Sequence, residues 1–149
     1  MSRLPRLWPQ RRPARDLQRE VSRSEDEWRA TLTPEQFRIL RRSGTERPFT
    51  GETVRPDAHG TYRCAGCQAA LFQAGAKFDS GTGWPSFTDA EADGVELRRD
   101  FQMGIPRTEV LCRRCGGHLG HVFNDGPHPG GKRYCINGCA LAPGDGDGP

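Results

Sequence analysis

Six cysteines are the most reactive residues of this 149-residue chain, and four of them form two C-x-x-C pairs. Cys64 pairs with Cys67, Cys112 pairs with Cys115, and 44 residues separate the two pairs. Two such pairs can supply four thiolates from two tight turns, which is the ligand set of a closed, tetrahedral zinc site. The spacing therefore predicts one structural Zn²⁺ ion, with the intervening sheet clamped between the pairs.

Other uses of the same four thiols stay open at this point. An iron–sulfur cluster accepts the same ligands. Two disulfides would need an oxidising compartment, and a redox C-x-x-C pair normally lies in a thioredoxin-like βαβ unit, which is absent from this pattern. Residues 4–9 lack the apolar run of a secretory signal, so we expect a cytoplasmic protein with reduced thiols.

Cys135 and Cys139 have no partner at metal-ligand spacing. If the segment is a strand, residues 133, 135 and 137 face the same way, so Arg133 and Asn137 would share a pocket with Cys135. The positive charges of Arg133 and the adjacent Lys132 would lower the pKa of the Cys135 thiol. We therefore interpret Cys135 as a candidate nucleophile.

A polar segment upstream of Cys135 combines two histidines three residues apart with an aromatic ring and a carboxylate. Such groups suit proton transfer around a thiolate. Metal ligation is the alternative, because Cys115 and the first histidine have zinc-finger spacing, although four thiolates already fill a tetrahedral site. The residues concerned are His118, His121, Phe123 and Asp125.

Cys139 is either a small core residue or a second reactive thiol. If residues 135–139 form one strand, the Cα atoms of Cys135 and Cys139 lie about 13 Å apart. A disulfide requires Cα atoms within about 7 Å. A direct bridge would then need local unfolding, which Gly138 could permit.

Helix signals are confined to one stretch near the N-terminus. Capping boxes that begin at Ser24 and Thr33 predict two short helices, over about 25–31 and 34–42. From Thr61 onward, short apolar runs alternate with Gly, Pro, Asn and Asp, which is typical of antiparallel strands. The predicted strands are centred on 61–63, 95–97, 109–111, 121–123 and 133–136.

Composition indicates a domain with a thin apolar core. Leu, Ile, Val and Phe make up 25 of the 149 residues, but the net charge of +3 is too small to indicate disorder. No apolar run reaches the roughly 18 residues of a membrane span. A bound metal would supply stability that such a core lacks.

Charge and composition divide the chain into three parts. Residues 1–24 carry seven arginines against two carboxylates and are expected to form a disordered basic arm. Residues 25–141 form the folded domain, and the Gly-, Asp- and Pro-rich residues 142–149 form a disordered tail. The arm lacks the interleaved aromatic residues of a nucleic-acid surface, so we expect no nucleic-acid partner.

Four blocks of the sequence closely resemble the signature blocks of B-type methionine sulfoxide reductases, which reduce the R epimer of methionine sulfoxide. The similarity runs in order from about residue 27 to residue 141, and the cysteine pairs coincide with the zinc-binding pairs of many members. The resemblance implies two small antiparallel sheets in a barrel-like sandwich, short N-terminal helices and one Zn²⁺ per chain. The blocks lie at 44–49, 77–87, 118–127 and 133–137.

The resemblance also implies a role for each candidate residue. Cys135 would attack the sulfoxide sulfur while the sulfoxide oxygen is protonated, so that methionine leaves and a sulfenic acid remains on Cys135. His118, His121 and Asn137 would hold and protonate the polar end of the substrate. The remaining implied substrate contacts are Trp84, Phe123, Asp125 and Arg133.

The chain departs from many members of that family in how it could be recycled. They have a resolving cysteine just before the Gly-Trp-Pro-Ser-Phe block, where this chain has Thr82. Either thioredoxin or a small thiol reduces the sulfenic acid directly, or Cys139 resolves it after rearrangement, and the strand geometry favours the first route. The implied partners are oxidised methionine residues in proteins and a thiol reductant, and we expect a monomer.

Two other functions account for part of the pattern. A zinc-ribbon nucleic-acid module would explain the four paired cysteines and the basic arm, but it leaves Cys135 and Trp84 without a role. A zinc hydrolase would use His118 and His121 as ligands, but it lacks the expected carboxylate motif. We rank both below the reductase.

Overall fold

The structure is a computed structural model that describes residues 19–101 and 104–144. Within these residues two helices, α1 Glu25–Thr31 and α2 Pro34–Arg42, precede eight strands. Short 3₁₀ helices cover Ala74–Ala76 and Gly138–Ala140. The strands are β1 Thr61–Arg63, β2 Ala70–Gln73, β3 Lys77–Phe78, β4 Ser86–Phe87, β5 Val95–Asp100, β6 Arg107–Cys112, β7 His118–Phe123 and β8 Arg133–Ile136.

Both helices begin at the predicted capping boxes. The Ser24 hydroxyl accepts from the Glu27 N–H at 3.1 Å, while the Glu27 carboxylate accepts from the Ser24 N–H at 2.8 Å. Thr33 and Gln36 repeat this reciprocal pair at the start of α2. Because the boxes satisfy N–H groups that have no partner inside the helix, they set the first residue of each helix.

The fold is mainly β and contains two antiparallel sheets, as predicted. The small sheet pairs β1 with β2, and the large sheet has the strand order β3-β4-β8-β7-β6-β5. Neither sheet closes into a barrel within the described residues. The five predicted strands are present, whereas β2, β3 and β4 were not predicted, because strands of two to four residues carry little periodic pattern.

Aromatic side chains join the two sheets. Phe72 of the small sheet stacks on Phe87 of the large sheet with ring centroids 4.3 Å apart, and Tyr62 meets Phe87 edge-on at 5.1 Å. Tyr134 of β8 contacts Phe72 from the same side, at 5.9 Å. Since side chains alternate along a strand, Arg133 and the other odd-numbered residues of β8 face away from this core.

Much of the predicted arm lies outside the described residues, as do residues 145–149 of the predicted tail. Residues 19–24 are described and contact the body: the Val21 N–H donates to the Arg114 carbonyl at 2.9 Å, and Arg19 forms an ion pair with Glu96. Ala142, at the start of the tail, donates its N–H to the Arg63 carbonyl at 2.7 Å. No helix of the described chain combines the length and apolar character that a membrane span requires.

Close packing between β7 and β8 leaves no room for a side chain at Gly120. A Cβ atom there would overlap the Cys135 carbonyl oxygen, so Gly120→Ala should lower the free energy of unfolding by about 2–3 kcal/mol. The thermal midpoint of the zinc-saturated protein measures this loss. Gly75→Ala is the matched control, because a Cβ at Gly75 meets no atom within 4 Å, and equal midpoints for the two variants would contradict the prediction.

Candidate active site and metal centre

The four paired cysteines come together as predicted. Their Sγ atoms all lie within 4.8 Å of one another, with Cys64 and Cys115 separated by 3.8 Å and Cys67 and Cys112 by 3.5 Å. Tetrahedral zinc with Zn–S bonds of about 2.3 Å requires S···S distances of about 3.8 Å, so the cluster fits this ion. Within the described residues, this is the one group of His, Cys, Asp and Glu side chains close enough to hold a metal.

The two C-x-x-C turns have the same backbone form. The Gln68 N–H donates to the Cys64 carbonyl at 2.9 Å, and the Gly116 N–H donates to the Cys112 carbonyl at 2.7 Å. Gln68 and Gly116 both have positive φ, 70° and 78°. Hydrogen bonds among the four thiols lower the pKa of Cys67 and Cys112 and raise the pKa of Cys64 and Cys115, because a thiolate in the cluster accepts from neighbouring thiols that keep their protons.

Two arginines and a tryptophan link these turns to the N-terminal helices. The buried indole of Trp28 lies between two guanidinium groups, with Arg23 4.7 Å and Arg41 4.6 Å from its ring centroid. Arg23 donates to the Gly66 carbonyl at 3.3 Å, and Arg41 donates to the Cys115 carbonyl at 3.0 Å. These cations lie beside a site that carries a net negative charge when four thiolates bind Zn²⁺, so they offset that charge.

A separate pocket of about 250 Å³ contains Cys135. Strand pairing sets its position: Cys135 lies opposite Ser86 of β4 and opposite His121 of β7. Directly opposed residues point to the same face of a sheet, so His121 is the cross-strand neighbour of the thiol. The pocket is lined by Thr45, Thr82, Trp84, Arg107, Gly120, His121, Phe123, Arg133, Cys135, Ile136 and Asn137.

The expected low pKa of the Cys135 thiol is not found. Burial raises the pKa of Cys135, and hydrogen bonds from Arg133 and Thr82 oppose this effect without reversing it. Lys132 is not among the groups that shift this pKa, and its amine donates to Asn124 at 2.9 Å. Arg133 lowers this pKa as expected, but burial outweighs it. The charge could be read from neighbouring residues, whereas the degree of burial depends on the fold.

His121 is held by a carboxylate from β5. Its Nε2 lies 2.8 Å from Asp100 Oδ2, and the same oxygen lies 3.5 Å from the Arg107 guanidinium. Burial lowers the pKa of His121 and outweighs the hydrogen bond to Asp100, which raises it, and the charge of Arg107 acts in the same direction as burial. At neutral pH the ring is therefore neutral, with the proton on Nε2 facing the carboxylate and a lone pair on Nδ1.

His118 lies outside the pocket lining. Only 2% of its surface is exposed, and its Nδ1 lies 2.6 Å from Glu109 Oε2, which fixes the ring. Its Nε2 is buried and has no hydrogen-bond partner among the described residues. The His118 ring meets the His121 ring edge-on, with centroids 5.5 Å apart. His118 therefore adjoins a pocket residue but does not line the pocket itself.

Arg133 lies at the pocket wall between an acidic and an aromatic residue. Asp125 accepts two hydrogen bonds from its guanidinium, at 2.9 and 3.1 Å, and these bonds raise the pKa of Arg133. The guanidinium also stacks over Phe123, 4.6 Å from the ring centroid. Asp125 itself is exposed and does not line the pocket, so it orients Arg133 from outside.

Trp84 and Asn137 line the pocket with their polar groups tied to the main chain. Trp84 donates its indole N–H to the Glu46 carbonyl at 3.0 Å. Asn137 accepts from the Glu46 N–H at 2.9 Å and donates from Nδ2 to the Leu119 carbonyl at 3.0 Å. The Asn137 side chain thus links the main chains of Glu46 and Leu119, and it also borders the pocket.

Cys139 does not lie on the same strand as Cys135, contrary to the geometry assumed from the sequence. β8 ends at Ile136, and Cys139 belongs to the 3₁₀ helix that follows. It lines a second cavity, of about 840 Å³, between α2 and the loop around Glu46. Burial raises the pKa of Cys139 to about 11, so this thiol is a poor nucleophile at neutral pH.

Several residues at the site carry no local signal in the sequence. Asp100 and Arg107 reach it because they face each other at the end of the β5–β6 pair. The Thr82 hydroxyl joins Ser80 at 2.8 Å, and Ser80 in turn joins Ser86 at 2.8 Å. A hydrogen-bonded row of hydroxyls therefore flanks the Cys135 thiol.

Together these features define a class of protein: a mainly β protein with a thiol in an aromatic-walled pocket and a separate four-cysteine cluster that could hold a metal ion. Comparison with known proteins agrees. The SelR domain family matches residues 32–143. The chain belongs to this family, whose curated relatives carry the name peptide methionine sulfoxide reductase MsrB.

Three of these relatives illustrate how far the similarity extends. The protein of Leptospira interrogans (serogroup Icterohaemorrhagiae, serovar Lai) is 54% identical over 123 residues, or 82% of this chain and 94% of the relative. That of Thiobacillus denitrificans is 59% identical over 121 residues, covering 80% and 92%. That of Methanosarcina barkeri is 54% identical over 125 residues, covering 83% and 88%.

The raised pKa of Cys135 predicts how the thiol reacts with iodoacetamide. Because only the thiolate is alkylated, the rate should rise about tenfold per pH unit from pH 7 to pH 9 without levelling off. Arg133→Gln removes a group that lowers this pKa, so alkylation at pH 8 should slow about threefold to tenfold. Peptide mass analysis of Cys135 in a Cys139→Ser background measures the rate.

Lys132→Gln is the matched control for this measurement. It removes a charge adjacent in sequence, but the Lys132 amine bonds to Asn124, so the alkylation rate should not change. If Lys132→Gln slowed the alkylation of Cys135 as much as Arg133→Gln does, general surface charge would control the reactivity of the thiol.

Proposed function

We propose that this chain reduces the R epimer of methionine sulfoxide, free or in proteins, to methionine, with Cys135 as the nucleophile. The observation that carries the assignment of the nucleophile is the register of β8. It brings Cys135, His121 and Arg133 to one pocket, whereas the other reactive thiols belong to the metal cluster or a second cavity. Family membership supports the reaction and its stereochemistry.

The apolar and polar sides of the pocket bind different parts of the substrate. The Trp84 ring, held by its bond to the Glu46 carbonyl, offers an apolar wall for the methyl group of the substrate. Phe123 is fixed by the stacked Arg133 guanidinium and extends that wall. The sulfoxide oxygen then lies towards the polar side, near His121 and Arg133.

The reaction transfers one oxygen atom and needs one proton to move. Cys135 is a thiol at neutral pH, and the neutral His121 ring can accept its proton on Nδ1 as sulfur attacks sulfur. The same proton passes to the sulfoxide oxygen. The resulting hydroxyl then moves from the methionine sulfur to Cys135 Sγ as the transient S–S bond breaks, so that methionine departs and a sulfenic acid remains on Cys135. Asp100 stabilises the imidazolium that forms in between.

Recycling is assigned to an external thiol, either thioredoxin or a small thiol. Two thiols reduce the sulfenic acid, giving the free Cys135 thiol, a disulfide and water. Cys139 is poorly placed to act as the resolving cysteine, because its N–H is bonded to the buried carboxylate of Glu46 and it lines a different cavity.

Zinc is assigned to Cys64, Cys67, Cys112 and Cys115 as a structural ion, because four buried thiols leave no open ligand position for substrate. When bound, the ion holds the two turns together and adds folding free energy. We place the protein in the cytoplasm as a monomer, where reduced thiols support both zinc binding and recycling.

A turnover assay with both epimers tests the function. R-methionine sulfoxide peptides should be reduced with dithiothreitol, S-methionine sulfoxide peptides should not, and Cys135→Ser should lose at least about 1,000-fold in kcat. Elemental analysis should find one zinc per chain in both proteins, because Cys135 lies outside the cluster. Sulfoxide reduction retained in Cys135→Ser would contradict the assignment of the nucleophile.

Single-turnover oxidation tests the recycling route. After reaction with substrate and no reductant, the protein should carry a sulfenic acid on Cys135 that a dimedone probe traps, and Cys139→Ser should turn over at the wild-type rate with dithiothreitol. Thr82→Cys is the informative counterpart, because its thiol would neighbour Cys135 and form an internal disulfide. A Cys135–Cys139 disulfide in the wild-type protein would exclude direct reduction.

A further inference from the structure

Glu46 is a buried carboxylate that none of the steps above uses. Only 4% of its surface is exposed, and it lies in the loop between α2 and β1, on the wall between the two cavities. A buried charge requires compensation by hydrogen bonds, so its partners define what it does. Two of those partners, Trp84 and Asn137, line the pocket that contains Cys135, and the other two, Gly138 and Cys139, line the second cavity.

The Glu46 carboxylate binds the turn that follows β8. Oε2 accepts from the Gly138 N–H at 2.8 Å, and Oε1 accepts from the Cys139 N–H at 2.9 Å. Both oxygens are therefore engaged by consecutive main-chain donors. This geometry fixes the end of the strand that carries Cys135.

The main chain of Glu46 binds two residues that line the pocket. Its N–H donates to Asn137 Oδ1 at 2.9 Å, and its carbonyl accepts from Trp84 Nε1 at 3.0 Å. Glu46 is thus hydrogen-bonded through both its side chain and its main chain. If the carboxylate releases Gly138, the N–H and the carbonyl that orient Asn137 and Trp84 are free to move.

Gly51 lies next to the Glu46 carboxylate. A Cβ at Gly51 would lie 2.5 Å from Glu46 Oε2 and 2.8 Å from the Gly138 Cα. Gly51 therefore packs directly against both the carboxylate and the turn. A side chain at position 51 would therefore displace the carboxylate or the turn that it binds.

We propose that Glu46 is a positioning residue for sulfoxide reduction, which sets the orientation of Trp84 and Asn137 by holding its own main chain against the turn after β8. The proposal rests on the proposed function for its kinetic consequence only. A displacement of about 1 Å at a reacting centre costs up to about 100-fold in rate, so the effect on turnover is large.

Glu46→Gln tests the proposal with a minimal change in shape. The amide keeps one acceptor but presents an NH₂ group to a second N–H donor, so one of the two bonds to the turn is lost. We expect kcat/KM for R-methionine sulfoxide peptides to fall about 10- to 100-fold, mostly in kcat, while alkylation of Cys135 at pH 8 stays within twofold of wild type. Glu46→Ala should fall at least as far.

Two control variants separate positioning from general destabilisation. Glu35→Gln makes the same chemical change at a carboxylate of the same cavity that pairs with Arg38, and kcat/KM should not change. Leu32→Ala truncates a buried side chain beside α1, so it should lower the thermal midpoint and leave kcat/KM within twofold.

The indole N–H resonance of Trp84 reports the positioning itself and does not depend on any activity. It is assigned as the signal that disappears in Trp84→Phe, and it should shift in Glu46→Gln but not in Glu35→Gln. An unshifted resonance together with wild-type kcat/KM in a folded Glu46→Gln protein would overturn the proposal. Failure of the wild-type protein to reduce the R epimer would instead refute the proposed function, while the resonance would still test the geometry.

Discussion

The pairing of β8 between β4 and β7 is the constraint on which the site depends. It aligns Cys135 with Ser86 on one side and His121 on the other, and a slip of one residue would turn the thiol into the aromatic core. Gly120 permits this pairing, because any larger residue would meet the Cys135 carbonyl. The same register places Tyr134 opposite Phe87 and against Phe72, in the aromatic core that joins the two sheets.

Burial and reactivity oppose each other at Cys135. The apolar walls that suit a methyl group also remove water from the thiol, which raises its pKa. Arg133 offsets part of this cost, and its own position depends on the exposed carboxylate of Asp125. A thiol that keeps its proton until substrate is bound is also less exposed to adventitious oxidation, because the thiolate is the reactive form.

Local patterns predicted the local features of this chain well. Capping boxes located both helices, and spacing identified the four-cysteine cluster, because these signals depend on residues close in sequence. Asp100, Arg107 and Glu46 could not be found this way, since each reaches the pocket through pairings or contacts with residues distant in sequence. The position of Cys139 was missed for a related reason: β8 ends at Ile136, where a tight turn begins that the residue types did not indicate.

The contacts of Trp28 have a consequence for the order in which the chain folds. Its indole and the flanking Arg23 and Arg41 touch both C-x-x-C turns, so this docking surface is complete only after the two turns meet. Bringing the two turns together closes a loop of more than 40 residues. The entropic cost of this closure arises before the helices can pack favourably on the turns. The N-terminal helices are synthesised before both C-x-x-C turns, yet this geometry makes them among the last elements to pack onto the domain.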